Sequence, residues 1–116
     1  MTFEEFRTEM NEYRKSADER AMELKDPQVV AEKLDSLYQS FDAQERIMAD
    51  RVVIEWVLAD EEAIRFDALA LVEDFQIRAA TPALQELASR LADQRTPGAP
   101  FERAKTDRII AELTRS

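Results

Sequence analysis

The chain has 116 residues, of which 45% are hydrophobic and 35% are charged, and this composition predicts one soluble globular domain with its own core. It contains no cysteine and no histidine, which excludes disulfides, thiolate chemistry and nucleophile–histidine catalysis and removes the commonest metal ligand. Its formal net charge of −9 disfavours nucleic acids and anionic membranes as partners, because both are negatively charged.

The excess negative charge lies in the first half of the chain. Residues 1–62 contain 17 acidic and 8 basic residues, whereas residues 63–116 contain 8 of each. An acidic surface attracts basic proteins, although it also serves simply to keep a protein soluble. The N-terminus lacks the basic start and apolar core of a secretion signal, and no uncharged run approaches the ~18 residues of a membrane span. We therefore expect a cytoplasmic location.

The first two predicted helices form an acidic hairpin over residues 1–41. Thr2 and Glu5 have the spacing of a capping box, which predicts a helix start. Asp26 and Pro27 predict the start of a second helix, as a cap and a first-turn proline. Steps of three and four residues give each helix one apolar stripe. The stripes are Phe3, Phe6, Met10, Tyr13, Ala17, Ala21 and Leu24, then Val30, Leu34, Leu37, Tyr38 and Phe41.

The two middle helices are apolar on nearly all sides. Asp42 and Glu45 form another cap pair, and the segment from Ile47 to Leu58 has so few charges that it predicts a central, buried helix. We expect Asp60 to cap the following helix, Glu61 to Phe75. Its predicted buried residues are Ala63, Ile64, Phe66, Ala68, Leu69, Ala70, Leu71, Val72 and Phe75.

Two further helices complete an all-α fold of about six helices. After a turn at residues 76–80, Thr81 is the expected cap and Pro82 the first helical residue. The loop from Asp93 to Pro100 contains the only glycine, and the last helix is predicted from Phe101 to about Leu113. The inner faces are predicted to contain Leu84, Leu87, Ala88 and Leu91 in the fifth helix and Phe101, Ala104, Ile109, Ile110 and Leu113 in the sixth.

The segment from Asp60 to Asp93 resembles a HEAT-type repeat, with small residues in a first helix, a short turn and a second helix that opens near a proline. The matching residues are Arg65, Ala68, Leu69, Phe75, Pro82, Leu84, Leu87 and Leu91. The resemblance implies a right-handed stack of helix pairs over residues 42–116, preceded by the N-terminal hairpin. The alternative is an ordinary six-helix bundle.

The resemblance implies a binding scaffold, since HEAT-like proteins use a curved face as a docking surface. Small size, acidity and helical content also resemble bacterial immunity proteins, which neutralise secreted toxins. The function expected is therefore stoichiometric binding of a basic protein, for example a toxin, by occlusion. The alternative is an adaptor or self-assembling subunit that associates through the stripe of Phe3, Phe6, Met10 and Tyr13.

Two carboxylate pairs suggest the one enzyme worth testing. Glu9 with Glu12, and Glu32 with Asp35, resemble the E-x-x-E and E-x-x-D motifs of all-α nucleotide pyrophosphohydrolases, which bind magnesium between two helices. If the hairpin turns at Asp26–Pro27, however, Glu9 lies roughly 16 Å beyond the level of Glu32, at about 1.5 Å per residue. We therefore predict no catalytic residue, cofactor or metal site, and keep a magnesium-dependent hydrolase as a remote alternative.

The candidate partner-binding residues are Glu55, Trp56, Asp60, Glu61, Glu62, Glu73 and Asp74. The acidic residues at 60–62 are also explained by helix capping and the helix dipole. Glu73 and Asp74 lie near a helix C-terminus, where acidic residues are mildly unfavourable, so they indicate either a partner contact or solvated surface. Trp56 is either a core residue or an aromatic anchor at the edge of a binding face.

Two charged residues interrupt the fourth predicted helix. Arg65 and Asp67 stand among apolar residues, and a buried charge requires a partner. We expect them to form ion pairs with Asp50, Arg51 or Glu55 on the preceding helix.

Overall fold

The computed structural model describes residues 1–115, and these residues form six α-helices, one short 3₁₀-helix and no β-strand. The prediction of an all-α protein with about six helices is confirmed. The α-helices are α1 (Phe3–Leu24), α2 (Gln28–Ser40), α3 (Ala43–Val57), α4 (Glu62–Phe75), α5 (Thr81–Asp93) and α6 (Ala99–Thr114), and the 3₁₀-helix is Arg78–Ala80.

Short predicted side chains bond to backbone N–H groups at the starts of the first three helices, although α2 begins at Gln28 and not at Pro27. The backbone N–H of Glu5 donates to the Thr2 hydroxyl at 3.2 Å at the start of α1. The Asp26 carboxylate accepts from the N–H of Gln28 at 3.1 Å at the start of α2. In front of α3, Asp42 and Glu45 exchange side-chain-to-backbone bonds of 2.8 and 3.0 Å, which is a complete capping box.

Three predicted helix starts are wrong. Thr81 is the first residue of α5 and not its cap, and its hydroxyl donates to the Arg78 carbonyl at 2.9 Å. Glu61, not Asp60, is the N-cap residue of α4, and its side chain makes no capping bond. The backbone carbonyl of Asp60 instead accepts a hydrogen bond from the Arg65 guanidinium. This bond fixes the connection between α3 and α4 without a side-chain cap. The last helix begins at Ala99 rather than Phe101, because Pro100 is acceptable in a first turn, where its missing N–H has no intrahelical partner to lose.

The helical chain divides into two compact units, Met1–Val52 and a second unit that begins at Val53, so the boundary falls within α3. The predicted boundary between residues 41 and 42 stays a prediction. In the N-terminal unit α1 packs against α2. The buried apolar residues of this unit are Phe6, Met10, Ala17, Ala21, Val30, Leu34, Tyr38, Ala49 and Val52.

The stripe expected to mediate self-association is not a free surface. Phe6 and Met10 are buried, and the half-buried Phe3 ring has the guanidinium groups of Arg7 and Arg51 5.4 and 3.9 Å from its centre. Tyr13 is exposed and donates its hydroxyl to the Lys33 carbonyl at 3.3 Å. This face is therefore used mainly for packing within the N-terminal unit.

In the C-terminal unit α5 packs closely against α6, and α4 also contacts α6. The HEAT-like stacking of α4 with α5 stays a prediction. The buried apolar residues are Val53, Trp56, Val57, Ala68, Leu69, Leu71, Val72, Ile77, Ala80, Ala83, Leu84, Leu87, Leu91, Ala99, Ile109 and Leu113. Two polar residues, Arg65 and Thr106, are buried with them.

Four large apolar residues that were expected on buried faces lie at the surface instead, and one of them, Leu24 of the α1 stripe, is 51% exposed. Ile47 is 65% exposed, Phe66 59% and Phe101 80%. Ala63 and Ala104 are also exposed. The reason is geometrical, because a helix that is apolar all round buries only those faces that meet a neighbour, and periodicity does not say which faces these are.

Candidate protein-binding site

Four exposed acidic residues lie close together in the sequence where α3 leads into α4. Residues 53–62 contain four acidic residues and no basic residue, and all four are exposed. Glu55 lies in the last turn of α3, Asp60 and Glu61 in the connection, and Glu62 at the first position of α4. We refer to Glu55, Asp60, Glu61 and Glu62 as the acidic stretch.

A buried arginine fixes the connection that presents these charges. The Arg65 Nη1 atom donates to the carbonyl oxygens of Ala59 and Asp60, at 3.0 and 2.8 Å. Its Nε and Nη2 atoms donate to the two carboxylate oxygens of Glu102 in α6, at 2.7 and 3.0 Å. Hydrogen bonding to Glu102 raises the pKa of Arg65, although burial opposes the shift, so the guanidinium stays charged.

The predicted ion-pair partner of Arg65 is therefore wrong. The expected partners were charged residues of α3, but the acid that pairs with Arg65 is Glu102, 37 residues further along the chain. Arg65 faces α6 because α4 packs on α6, and its long side chain then reaches both Glu102 and the carbonyls before α4. Asp67 is half-buried.

An apolar groove lies between α4 and the start of α6, next to the acidic stretch. It encloses about 240 Å³ and is lined by Glu62, Phe66, Leu69, Gly98, Phe101, Glu102 and Lys105. Phe66 and Phe101 contribute exposed rings to it, and Leu69 is buried. Glu62 belongs to both the groove and the acidic stretch, so apolar surface and negative charge meet there.

One basic residue lines the same groove. The Lys105 ammonium lies 4.3 Å from the centre of the Phe66 ring, a distance typical of a cation–π contact. The aliphatic part of a lysine side chain covers apolar surface while its charge stays in water. Lys105 therefore shields one face of Phe66, and Phe101 is the more open of the two rings.

The sequence contained a weak signal for Phe101 but none for Phe66. Phe101 follows Pro97, Gly98 and Pro100 and falls in the first turn of α6, where no preceding turn of the same helix covers it. Phe66 is flanked by apolar residues that are buried, and its exposure depends on which side of α4 meets α6. That choice is made by tertiary packing.

The other candidate residues do not join the acidic stretch. Trp56 is 4% exposed, so its side chain packs inside and offers no surface anchor in this conformation. Glu73 accepts from Arg108 in α6 at 3.0 Å, which accounts for an acidic residue near the end of a helix. Asp74 is exposed. Both residues lie on α4 about 17 Å from Glu62 along the helix axis, at about 1.5 Å per residue.

The carboxylate pairs of α1 and α2 do not form a cluster. Glu9, Glu12 and Glu32 are exposed. Among the side chains of residues 1–115, no three acidic residues lie close enough together to hold a metal ion.

Comparison with known proteins gives no relative from which a function could be transferred. No protein-family model matches the chain, and no curated protein or solved structure is significantly similar to it. None of the helices within residues 1–115 is long and apolar enough to cross a bilayer.

Proposed function

We propose that this chain is a stoichiometric protein-binding module, and most concretely an inhibitor or immunity protein that occludes a basic partner. The observation that carries the proposal is the groove between two exposed phenylalanine rings, Phe66 and Phe101, with the acidic stretch at its edge. Surfaces that combine an aromatic centre with charge at the rim are typical of protein interfaces.

The aromatic rings would supply affinity. Burial of one phenylalanine side chain contributes about 1.5–3 kcal/mol, and aromatic anchors in pockets are frequent hot spots of interfaces. Phe101 is 80% exposed, so nearly all of its surface remains to be buried by a partner. An apolar side chain of the partner fits between the two rings and above Leu69.

The acidic stretch would make the chain selective for basic partners and would raise the rate of association. Its charges attract a basic surface and raise the rate of association. This attraction becomes weaker as the salt concentration increases, because ions screen the charges. Arg65 fixes the connection that contains Asp60 through its bonds to the carbonyls of Ala59 and Asp60. Less conformational freedom is therefore lost when the partner binds. The mechanism is steric and electrostatic masking of a basic site, and it needs no chemistry on this chain.

The test is capture of a partner from a lysate of the source organism on the immobilised chain at ~50 and ~300 mM salt, a span over which screening changes strongly. The wild type is compared with a charge variant, D60N/E61Q/E62Q, and a groove variant, F66S/F101S. A matched control, E4Q/E12Q/E19Q, removes three exposed charges from α1.

We expect one basic protein, retained in a one-to-one ratio by the wild type and the control. At ~50 mM salt the charge variant should retain clearly less of it than the wild type, and the groove variant should lose it at both salt concentrations. Retention of the same proteins by all four chains would contradict the proposal.

The second candidate function is self-assembly through the same groove. It is favoured by the exposure of the Phe66 and Phe101 rings. The groove is also lined by both an acid, Glu62, and a base, Lys105. In a two-fold dimer, Glu62 of one copy can pair with Lys105 of the other. Sedimentation velocity of the isolated chain distinguishes the candidates. A dimer that the F66S/F101S variant dissociates would favour self-assembly, whereas a monomer supports binding of a different protein.

A further inference from the structure

A second cavity lies in the N-terminal unit and combines apolar walls with two carboxylates. It encloses about 160 Å³ and is lined by Met1, Phe6, Glu9, Met10, Tyr13, Leu37, Phe41 and Glu45. No lysine or arginine side chain lines it. This cavity shares no residue with the groove of the C-terminal unit.

The apolar walls come from both helices of the hairpin. Phe6 and Met10 of α1 are buried, and Leu37 and Phe41, at and just beyond the end of α2, are half-buried. The rings of Phe6 and Phe41 have centres 5.0 Å apart and are tilted by 52°. Because these rings contact each other directly, the cavity is preformed in the folded unit.

The two acidic residues place negative charge at the cavity. Glu45 is held in place, since its Oε1 atom accepts the Asp42 backbone N–H at 3.0 Å as part of the capping box of α3. A carboxylate accepts several hydrogen bonds, so its second oxygen can bind a further donor. Glu9 is exposed on α1. The surrounding unit has the same sign, with 13 acidic and 8 basic residues in positions 1–52.

We propose that this cavity binds a lysine or arginine side chain of a basic partner protein. The methylene stem would lie against Phe6, Leu37 and Phe41, and the charged head would be held by Glu9 and Glu45. The volume of about 160 Å³ leaves space for one unbranched side chain.

Aromatic rings of the same unit already bind cations in this way. The Arg51 guanidinium lies 3.9 Å from the centre of the Phe3 ring, and that of Arg46 lies 5.2 Å from the centre of the Tyr38 ring. A cation beside an aromatic ring is attracted by the ring quadrupole, and Phe41 and Tyr13 offer such rings at the cavity. This inference shares with the proposed function the idea of a basic partner, but it depends on different residues.

The test is a titration followed by two-dimensional NMR of the ¹⁵N-labelled full chain. The probe is a capped Gly-Lys-Gly peptide, and its matched control replaces lysine by norleucine, which has the same stem without the charge. We expect the lysine peptide to shift the amide signals of residues that line the cavity, with a Kd of about 1–10 mM, as befits so few contacting atoms. The norleucine peptide should bind at least about fivefold more weakly.

Charge-neutral variants test the role of the two carboxylates. The E9Q/E45Q variant should bind the lysine peptide about fivefold more weakly than the wild type does. The E12Q/E19Q variant, with changes on the exposed surface of α1, should bind it with unchanged affinity. Glutamine at position 45 preserves the capping box, so an unchanged amide spectrum will establish that the variant is folded.

Three outcomes would overturn the inference. Equal shifts with the norleucine peptide would show a merely apolar cavity, and absence of shifts at the cavity would show no binding. Binding of n-butylammonium without binding of the lysine peptide would indicate a site for a free amine. Failure of the proposed function is a separate result, because it would appear as unchanged capture by the D60N/E61Q/E62Q and F66S/F101S variants.

Discussion

The guanidinium of Arg65 and the carboxylate of Glu102 form two hydrogen bonds, of 2.7 and 3.0 Å, that join α4 to α6. Their side chains are 10% and 11% exposed. The same guanidinium binds the carbonyls of Ala59 and Asp60. One side chain therefore fixes both the groove, through its two helices, and the acidic stretch, through its backbone.

Replacement of Arg65 should lower the stability of the folded chain. In R65M the part-buried Glu102 carboxylate has no counter-charge and two backbone carbonyls lose their donor, so we expect a loss of about 3 kcal/mol in the free energy of unfolding. Urea denaturation followed by circular dichroism measures it. The exposed pair Arg90–Glu86 is the control, and R90M should change stability by less than about 0.5 kcal/mol. Similar losses for both variants would contradict the role given to Arg65.

The capping box before α3 gives a second prediction. D42A removes the acceptor for the Glu45 N–H, now bonded at 2.8 Å, and should lower the free energy of unfolding by about 1 kcal/mol. D42N retains a capping oxygen and should restore most of the loss. Thermal denaturation of both variants beside the wild type measures this difference, and equal melting temperatures for D42A and D42N would refute it.

Tyr38 predicts a loss of stability in alkaline solution. Burial raises the pKa of Tyr38, and the hydrogen bond that its hydroxyl donates to Asp50 at 2.7 Å acts in the same direction. The folded state therefore keeps a proton that the unfolded state releases above about pH 10. The stabilisation is complete below that pH and is lost as the pH rises further.

Urea denaturation between about pH 8 and pH 11 tests this dependence on Tyr38. The Y38F variant should be less stable at neutral pH by about 1 kcal/mol, because a hydrogen bond is lost, but its stability should fall less steeply above about pH 10. Y13F, which removes the hydroxyl of the exposed Tyr13, is the matched control. An identical slope in wild type and Y38F would show that Tyr38 does not cause it.

Trp56 offers a direct optical test of its position. It is the only tryptophan and is 4% exposed, so its fluorescence should be blue-shifted and poorly quenched by iodide in the folded protein. Emission should move to longer wavelength on unfolding in urea. Strong quenching in the folded state would instead place the indole at the surface and restore it as a candidate anchor.

Local features of the fold were predictable, whereas the contacts between distant helices were not. The capping pairs Thr2–Glu5 and Asp42–Glu45 act over three residues, so spacing alone identifies them. Arg65 and Glu102 are 37 residues apart, and nothing in either local sequence specifies the other. The partner of Arg65 became visible only when α4 was placed on α6.

The acidic residues of the candidate site could be predicted from the sequence, but its exposed apolar residues could not. The acidic stretch is evident from four acids and no base in residues 53–62, and acidic side chains are rarely fully buried in any fold. Phe66 and Phe101 were expected in the core, because apolar periodicity predicts burial without giving the number of neighbours. Their exposure follows from the arrangement of α4 and α6.

The most direct test of partner binding is a calorimetric titration of the captured partner into the wild type, the D60N/E61Q/E62Q variant and the F66S/F101S variant, at ~50 and ~300 mM salt. We predict that the charge variant binds about tenfold more weakly at low salt and that its affinity depends little on salt. The groove variant should bind at least about tenfold more weakly at both salt concentrations. Equal dissociation constants for all three chains would contradict the assignment of this surface.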